Sequence, residues 1–357
     1  MDREILVVGG GVTGLAASVA LAQAGLTVTC VDPGPAPDKA KTDQLDGRTT
    51  ALFEPSLRAL RSWGAWPLDD QSAALWRMRI VDETCGGVAH GATFDSRELR
   101  SGGPFGHNVP TPALKAALAA RARALTVDHR TRTEVARLTL GQEAAEADLT
   151  DGTCLRAPLV VGADGRGSST RQSAGIPSRT WSYGQTAMAF AVGHGAEHEG
   201  TSTEFHRRAG PLVTVPLPGR ASSIVWVERD ATVAQLGALD RRALRHPLAR
   251  RLHGVLGQVH EIGPVWRYPV SSVLAATCAR RRVALVGEAA HGMPPVGAQG
   301  LNLGLTDVAV LAELVGGAKK GGADIGGPAV IDAYAARRQP DILARVAGVD
   351  ALNQAVR

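Results

Sequence analysis

The chain has few aromatic residues, 4% in all, and only four cysteines among 357 residues. Cys30, Cys85, Cys154 and Cys278 stand at no C-x-x-C spacing. That excludes a zinc ribbon and a disulfide framework, and it reads as reduced, buried small residues in a cytoplasmic protein. The ten histidines form no ligand cluster, so no metal site is expected. There is no G-x-S-x-G elbow, and no paired carboxylate stands out for hydrolysis. An uncharged apolar run of about 18 residues is also missing, so no transmembrane helix is expected. The nearest approach, Leu301 to Ala318, carries Asp307 and Glu313 and reads as an amphipathic helix. The apolar run Ile5 to Val8 is too short for a signal peptide and meets a glycine loop at once. Net charge is +5, with arginines spread along the chain and no basic run. A nucleic-acid partner is therefore not expected. The charge reads as a solvated surface, with weak attraction to an anionic membrane or to nicotinamide-cofactor phosphates as the lesser alternative.

What is abundant is glycine, 42 residues, which calls for many tight backbone turns. The length suggests two domains, or one α/β domain with an insertion. Ile5–Val8, Val12–Ala24 and Thr27–Val31 read as a β-α-β unit. Leu57–Trp63 fits a short helix, and Arg77–Val81 and Val88–Phe94 read as strands outside that unit. Pro112 suits the first turn of a helix, Ala113–Ala124. Arg137–Leu140 and Ala147–Thr150 read as strands, Asp151-Gly152 marks a hairpin turn, and Leu159–Val161 reads as a buried strand. From about 175 to 272 the pattern is mostly strand-like: Ala187–Val192, Pro211–Leu217, Ser223–Glu228 and Val265–Val270, with a helical piece over Arg241–Leu256. Val283–Val286 and the helix Leu301–Val315 return to the first domain. Lys319–Pro328 reads as a loop, followed by a long helix from about Val330 to the end.

Three glycine-rich motifs each follow a strand. In Gly9-Gly10-Gly11-Val12-Thr13-Gly14, Gly9 permits a tight turn, Gly11 lets the backbone approach a pyrophosphate, and Gly14 lets helix and strand pack closely. Asp32 ends the second strand, where a carboxylate can accept from a ribose hydroxyl. This loop alone does not separate NAD from FAD. In Gly162-Ala163-Asp164-Gly165-Arg166-Gly167-Ser168, followed by Arg171, Asp164 can hold backbone amides and polar groups of a dinucleotide, and Ser168 suits a helix start. Gly287-Glu288 follows the third strand, and Glu288 can accept from ribityl hydroxyls. Pro294 to Asn302 then opens a helix whose N–H groups, at Gly297, Gly300, Leu301 and Asn302, suit the electron-rich edge of a flavin ring. Three such motifs in this order indicate a chain wrapped around one FAD. Arg48, in Asp46-Gly47-Arg48-Thr49-Thr50, is either a surface arginine or a partner for the cofactor. His291, among small apolar neighbours, reads as a packed structural histidine rather than a base.

On these motifs the chain resembles the FAD-dependent aromatic hydroxylases typified by para-hydroxybenzoate hydroxylase, and more closely their ubiquinone-biosynthesis branch. Linking stretches carry the closer likeness: Asp46 to Leu52, Leu60 to Trp66, Tyr183 to Ala187, Glu204-Phe205 with Gly210 to Leu217, Ser223 to Trp226, Gly297 to Leu305 and Tyr334 to Asp341. The resemblance implies an α/β fold: a Rossmann-like FAD-binding domain (1–75, 100–174 and 273–328), an inserted mostly β substrate domain (76–99 and 175–272), and a C-terminal helix (329–357). It implies a monooxygenase using O2 and a reductant, NAD(P)H or another donor, to hydroxylate the ring of a prenylated phenol through a flavin hydroperoxide. Gly9, Gly11, Val12, Gly14, Asp32, Arg48, Asp164, Gly287, Glu288, Gly297, Gly300, Leu301 and Asn302 would contact FAD, and the Pro295 carbonyl would help at the reacting centre.

The family's Gly-Asp is Gly287-Glu288 here, one methylene longer. Family members continue past the position of Arg357, so the chain is either naturally short or without a tail. The stripe Ile342, Val346, Val349, Leu352 and Val356 reads as core, with a partner or membrane surface as the alternative. The resemblance further implies a ubiquinone-biosynthesis complex as partner and a cytoplasmic protein peripheral to the inner membrane. Two other readings remain: a hydroxylase of a soluble aromatic, and a non-catalytic FAD-binding subunit.

Overall fold

A computed structural model describes residues 3–37, 45–84, 90–99 and 102–355. Its first layer is a six-stranded sheet in the order Ala279–Arg280, Val283–Leu285, Leu159–Gly162, Ile5–Val8, Val28–Asp32, Asp128–Thr131. All neighbours run parallel except the first pair. The two central strands are buried at every position, which is why they are unbroken apolar runs rather than alternating ones. Helix Val12–Gln23 packs on Thr111–Ala124 and on the long helix Gln299–Lys320, which in turn packs on Pro328–Ala355. Gln299–Lys320 is long and apolar enough to cross a membrane by length and composition. It lies against other helices here, with Asp307 wholly buried and ion-paired at its centre.

The second layer is a nine-stranded sheet with the 17-residue strand Ser178–His194 as its spine. That strand pairs with Ala221–Arg229 on one side and with Trp266–Ala275 and Val259–Ile262 on the other. Arg77–Asp82 and His90–Asp95 join the far edge through the parallel pair Arg77–Asp82 and Thr201–His206. Alternation along the strands gives the sheet two faces. Met188, Phe190, Val192, Phe205 and Ile224 pack with Val233, Leu244, Leu248 and Leu252 of two covering helices. Ala187, Ala189, Val213, Val215 and Val225 look the other way, into a cavity. A small sheet of Thr49–Phe53, Gly106–Pro110 and Ala73–Leu75 closes another side of that cavity.

Several expectations are met within a residue or two, among them the β-α-β unit and the Asp151-Gly152 hairpin between Ala145–Leu149 and Cys154–Ala157. Others are corrected. Lys319 and Lys320 still belong to the helix, so the loop begins at Gly321. The helix from Arg241 stops at Leu252, where His253 turns left-handed at φ 48°. Cys154 is exposed at a strand start, whereas Cys30 and Cys278 are buried and their thiols pushed up to about 12 by desolvation. Ile342, Val346 and Val349 are core, but Leu352 is 44% exposed. Cys85, Val88 and Val356 lie outside the described residues.

Candidate flavin and substrate site

The three glycine motifs meet because their strands are neighbours in one parallel sheet, each ending on the same edge. This is where open α/β sheets bind ligands. Gly9 sits at φ +104°, and a Cβ there would lie 2.4 Å from the Ala163 carbonyl oxygen, so the first and second motifs touch backbone to backbone. A Cβ on Gly14 would lie 1.8 Å from the Gly9 oxygen. A Cβ on Gly11 would meet nothing within 4 Å, because Gly11 faces open space at the helix start. Helix crowding at Gly14 and open space at Gly11 are what a pyrophosphate-binding turn requires.

Asp32 accepts from the Gly10 N–H at 2.5 Å and the Gly34 N–H at 2.8 Å, which fixes its carboxylate beside the loop. Asp164 is turned to its own chain, accepting from Ser168 Oγ at 2.5 Å and the Thr170 N–H at 2.9 Å. Ser168 Oγ in turn accepts from the Arg171 N–H, so Asp164 and Ser168 together cap the helix Ser169–Ser173. Gly287 sits at φ +58° against Thr13 of the first motif. Glu288 is half exposed and paired with Arg166 at 2.8 Å.

Arg166 is the residue the sequence reading passed over. It donates to Glu288, to the Ser271 carbonyl at 2.7 Å and to the Met293 carbonyl at 3.2 Å. One guanidinium thus ties the second motif, the third motif and the nine-stranded sheet. Its place inside Asp-Gly-Arg-Gly-Ser was the only signal.

A cavity of about 730 Å³ lies between the six-stranded layer and the large sheet. Arg48, Glu288, Pro295, Gly297, Gly300 and Leu301 all line it. Its loop is tightly wound: Gly297 has φ +61° and Ala298, the residue before the helix, is left-handed at φ 51°. Left-handed alanine is uncommon and marks positions held for a purpose. It aims the free N–H groups of Gln299, Gly300 and Leu301, and the positive end of a 22-residue helix, at the cavity. Asn302 is different. Its Oδ1 accepts from Phe53 N–H and Ser56 Oγ, and its Nδ2 donates to the Ala51 and Ala298 carbonyls, so its side chain brackets the small sheet to the helix. Arg48 is held by Asp46 at 2.5 Å, which raises its pKa, and it stacks over Trp266 at 4.4 Å. It is a half-exposed rim residue, not a buried anchor.

His291 is buried and donates to Asp307 at 2.6 Å. Asp307 also takes the Gly287 N–H at 3.0 Å and Arg338 Nε at 2.8 Å. Histidine, carboxylate and arginine form a buried network that locks the third motif to the C-terminal helix, a structural role that agrees with the packed reading.

A flavin dinucleotide fits these residues. The open turn at Gly11 suits its pyrophosphate, the half-exposed Glu288 its hydroxyls, and the helix start at Gly297 to Leu301 its ring edge. The sequence model described as "FAD binding domain" matches residues 2–347. The chain belongs to that FAD-binding family. Among curated relatives, the chain is 39% identical over 353 residues to "Ubiquinone hydroxylase UbiL" of Rhodospirillum rubrum, covering 98% of this chain and 80% of the relative. It is 31% identical to "3-demethoxyubiquinol 3-hydroxylase" of Escherichia coli, covering 97% and 88%. The fold is that of solved flavin monooxygenases. Pseudomonas aeruginosa PqsL superposes with a TM-score of 0.84 at 19% identity, over 100% of this chain and 97% of that one. Pseudomonas putida p-nitrophenol 4-monooxygenase PnpA superposes with a TM-score of 0.77 at 22% identity, over 99% and 88%.

Proposed function

We propose that this chain is an FAD-dependent monooxygenase that hydroxylates the aromatic ring of a prenylated phenol in ubiquinone biosynthesis. The observation that carries this reading is the cavity itself. One side is a helix start built to hold a flavin edge, and the other is an aliphatic sheet face. The likeness to ubiquinone hydroxylases over nearly the whole chain supports the substrate class.

Bound FAD would supply the activation of dioxygen, with NAD(P)H or another donor as reductant. The protein's own part is placement and charge. N–H groups at Gln299 to Leu301 and the helix dipole stabilise negative charge on the ring edge. Gly9, Gly11, Val12 and Gly14 with Asp32 hold the dinucleotide's phosphates and ribose. Asp164, Gly287 and Glu288 border its linker, and Arg48 and Pro295 stand at the rim. Ala187, Ala189, Val213, Val215 and Val225 keep water from the reacting ring. On this reading residues 1–75, 100–174 and 273–328 serve the cofactor, 76–99 and 175–272 the substrate, and 329–357 brace both.

Tyr268 lines the cavity and is 46% exposed, and Trp266 beside it is 37% exposed. Aromatic residues at a mouth suit a prenyl tail leading to a membrane surface. This supports contact with a membrane surface, the peripheral placement that suits an enzyme whose substrate lies in the bilayer. The test is to supply purified, FAD-loaded protein with a prenylated phenol, reductant and isotopically labelled dioxygen. The product should gain one labelled oxygen on the ring. Reductant consumption that the phenol does not stimulate, with no labelled product, would overturn the reading.

A further inference from the structure

The cavity face of the large sheet is mostly aliphatic, broken by Tyr268 and Ser271 on Trp266–Ala275 and by two polar residues on Thr201–His206. Alternation on Thr201–His206 turns Thr203 and Phe205 away and Ser202 and Glu204 inward, among Met78, Val213 and Val215. Ser202 is satisfied, donating to the Thr214 carbonyl at 3.0 Å. Glu204 is a carboxylate on this face whose Oε1 is buried, with His206 Nε2 at 3.2 Å as an ion-pair partner. A hydrogen bond and the charge of Glu204 raise the His206 pKa above its ordinary value, and a carboxylate held on one side only keeps acceptor capacity to spare.

The small sheet adds an acceptor with no partner. Asn108 is fully buried and lines the same cavity. Its Nδ2 donates to the Pro216 carbonyl at 2.9 Å, which fixes the amide's orientation and leaves Oδ1 buried without a partner. Buried polar atoms without partners are rare. Two acceptors in one apolar cavity call for a ligand that brings a donor.

We propose that Glu204 is the acceptor for the substrate's ring hydroxyl, with Asn108 offering a second acceptor in the same cavity, so that the site selects a free phenol over its O-alkylated form. This deepens the hydroxylase reading and rests on it. A carboxylate accepting from a phenol O–H draws electron density towards the ring carbons ortho and para to that oxygen, which are the carbons an electrophilic oxygen attacks.

The experiment titrates the FAD-loaded protein with ortho-prenylphenol and with its methyl ether, reading binding from the bound-flavin absorbance. The native protein should bind the phenol about ten- to a hundredfold more tightly than the ether, the range for a hydrogen bond to a charged group. In Glu204→Leu the preference should fall to the few-fold that the neutral acceptor Asn108 can give, and to about twofold or less when Asn108→Leu is added, with FAD content unchanged. Glu204→Gln, nearly isosteric and still an acceptor, should fall between, and it decides the matter if the leucine variant loses FAD. If the variants keep FAD and the full preference, Glu204 has no such role, while the hydroxylase reading stands. If the native protein binds neither compound, the substrate class fails and this assignment with it.

Discussion

At two glycines in one turn, a single methyl group should have opposite consequences. Gly14→Ala places a Cβ 1.8 Å from the Gly9 oxygen. Relieving that contact pushes the helix off its strand, at a cost of about 1–3 kcal/mol or more. Gly11→Ala adds its Cβ to open space in an extended conformation, φ −67° and ψ −177°. It should leave the stability of the FAD-free protein within about 0.5 kcal/mol and weaken FAD binding by obstructing the pyrophosphate. Thermal melts of both apo variants, paired with FAD titrations, separate packing from ligand approach. Equal loss of stability in both would contradict the assignment. Asp307 is the other decisive residue. Asp307→Ala leaves Arg338 buried with one carboxylate fewer and His291 without its partner. Denaturant unfolding should show a loss of about 3–5 kcal/mol, and a loss below about 1 kcal/mol would show that the network is not what fixes the third motif.

Among the elements, the C-terminal helix Pro328–Ala355 binds both layers. Tyr334 donates to the Leu285 carbonyl at 2.8 Å on the first sheet, and Asp350 accepts from Tyr183 and Trp181 on the second. The Tyr183 hydroxyl holds the Asp350 carboxyl below its ordinary value. A lowered folded pKa contributes stability that is complete above the unfolded value, near 3.8, and is lost as pH falls through the folded one. The native protein should therefore lose helix protection in hydrogen exchange as pH drops below about 4, and Asp350→Asn should flatten that dependence. An unchanged slope would contradict the link.

Helices and buried parallel strands were legible because one segment carries the whole pattern. The small sheet was not, because Thr49–Phe53, Ala73–Leu75 and Gly106–Pro110 are short and pair only with each other across long separations. Asp128–Thr131 is a polar sheet-edge strand with no apolar run to announce it. The same holds for the site. The glycine motifs are local and were readable, whereas the bracket at Asn302, the tie at Arg166 and the meeting of Glu204 and Asn108 in one cavity exist only once distant strands meet.

For the whole molecule, the cofactor would lie between two sheets that are tied to each other by Arg166 and the C-terminal helix among other contacts. A ligand bound at such a junction stabilises the native state by mass action, by about 2.7 kcal/mol at a hundredfold excess over Kd. Removing FAD should lower the melting temperature by several degrees, and adding it back should restore the loss. A melting temperature indifferent to FAD would mean that the native protein does not bind it.

The most direct measurement is the quinone profile, by mass spectrometry of lipid extracts, in a strain lacking this gene and any redundant hydroxylase. Ring hydroxylation in ubiquinone biosynthesis predicts accumulation of a prenylated phenol lacking one oxygen, relieved by restoring the gene. An unchanged profile would contradict the account and turn the search to soluble aromatic substrates.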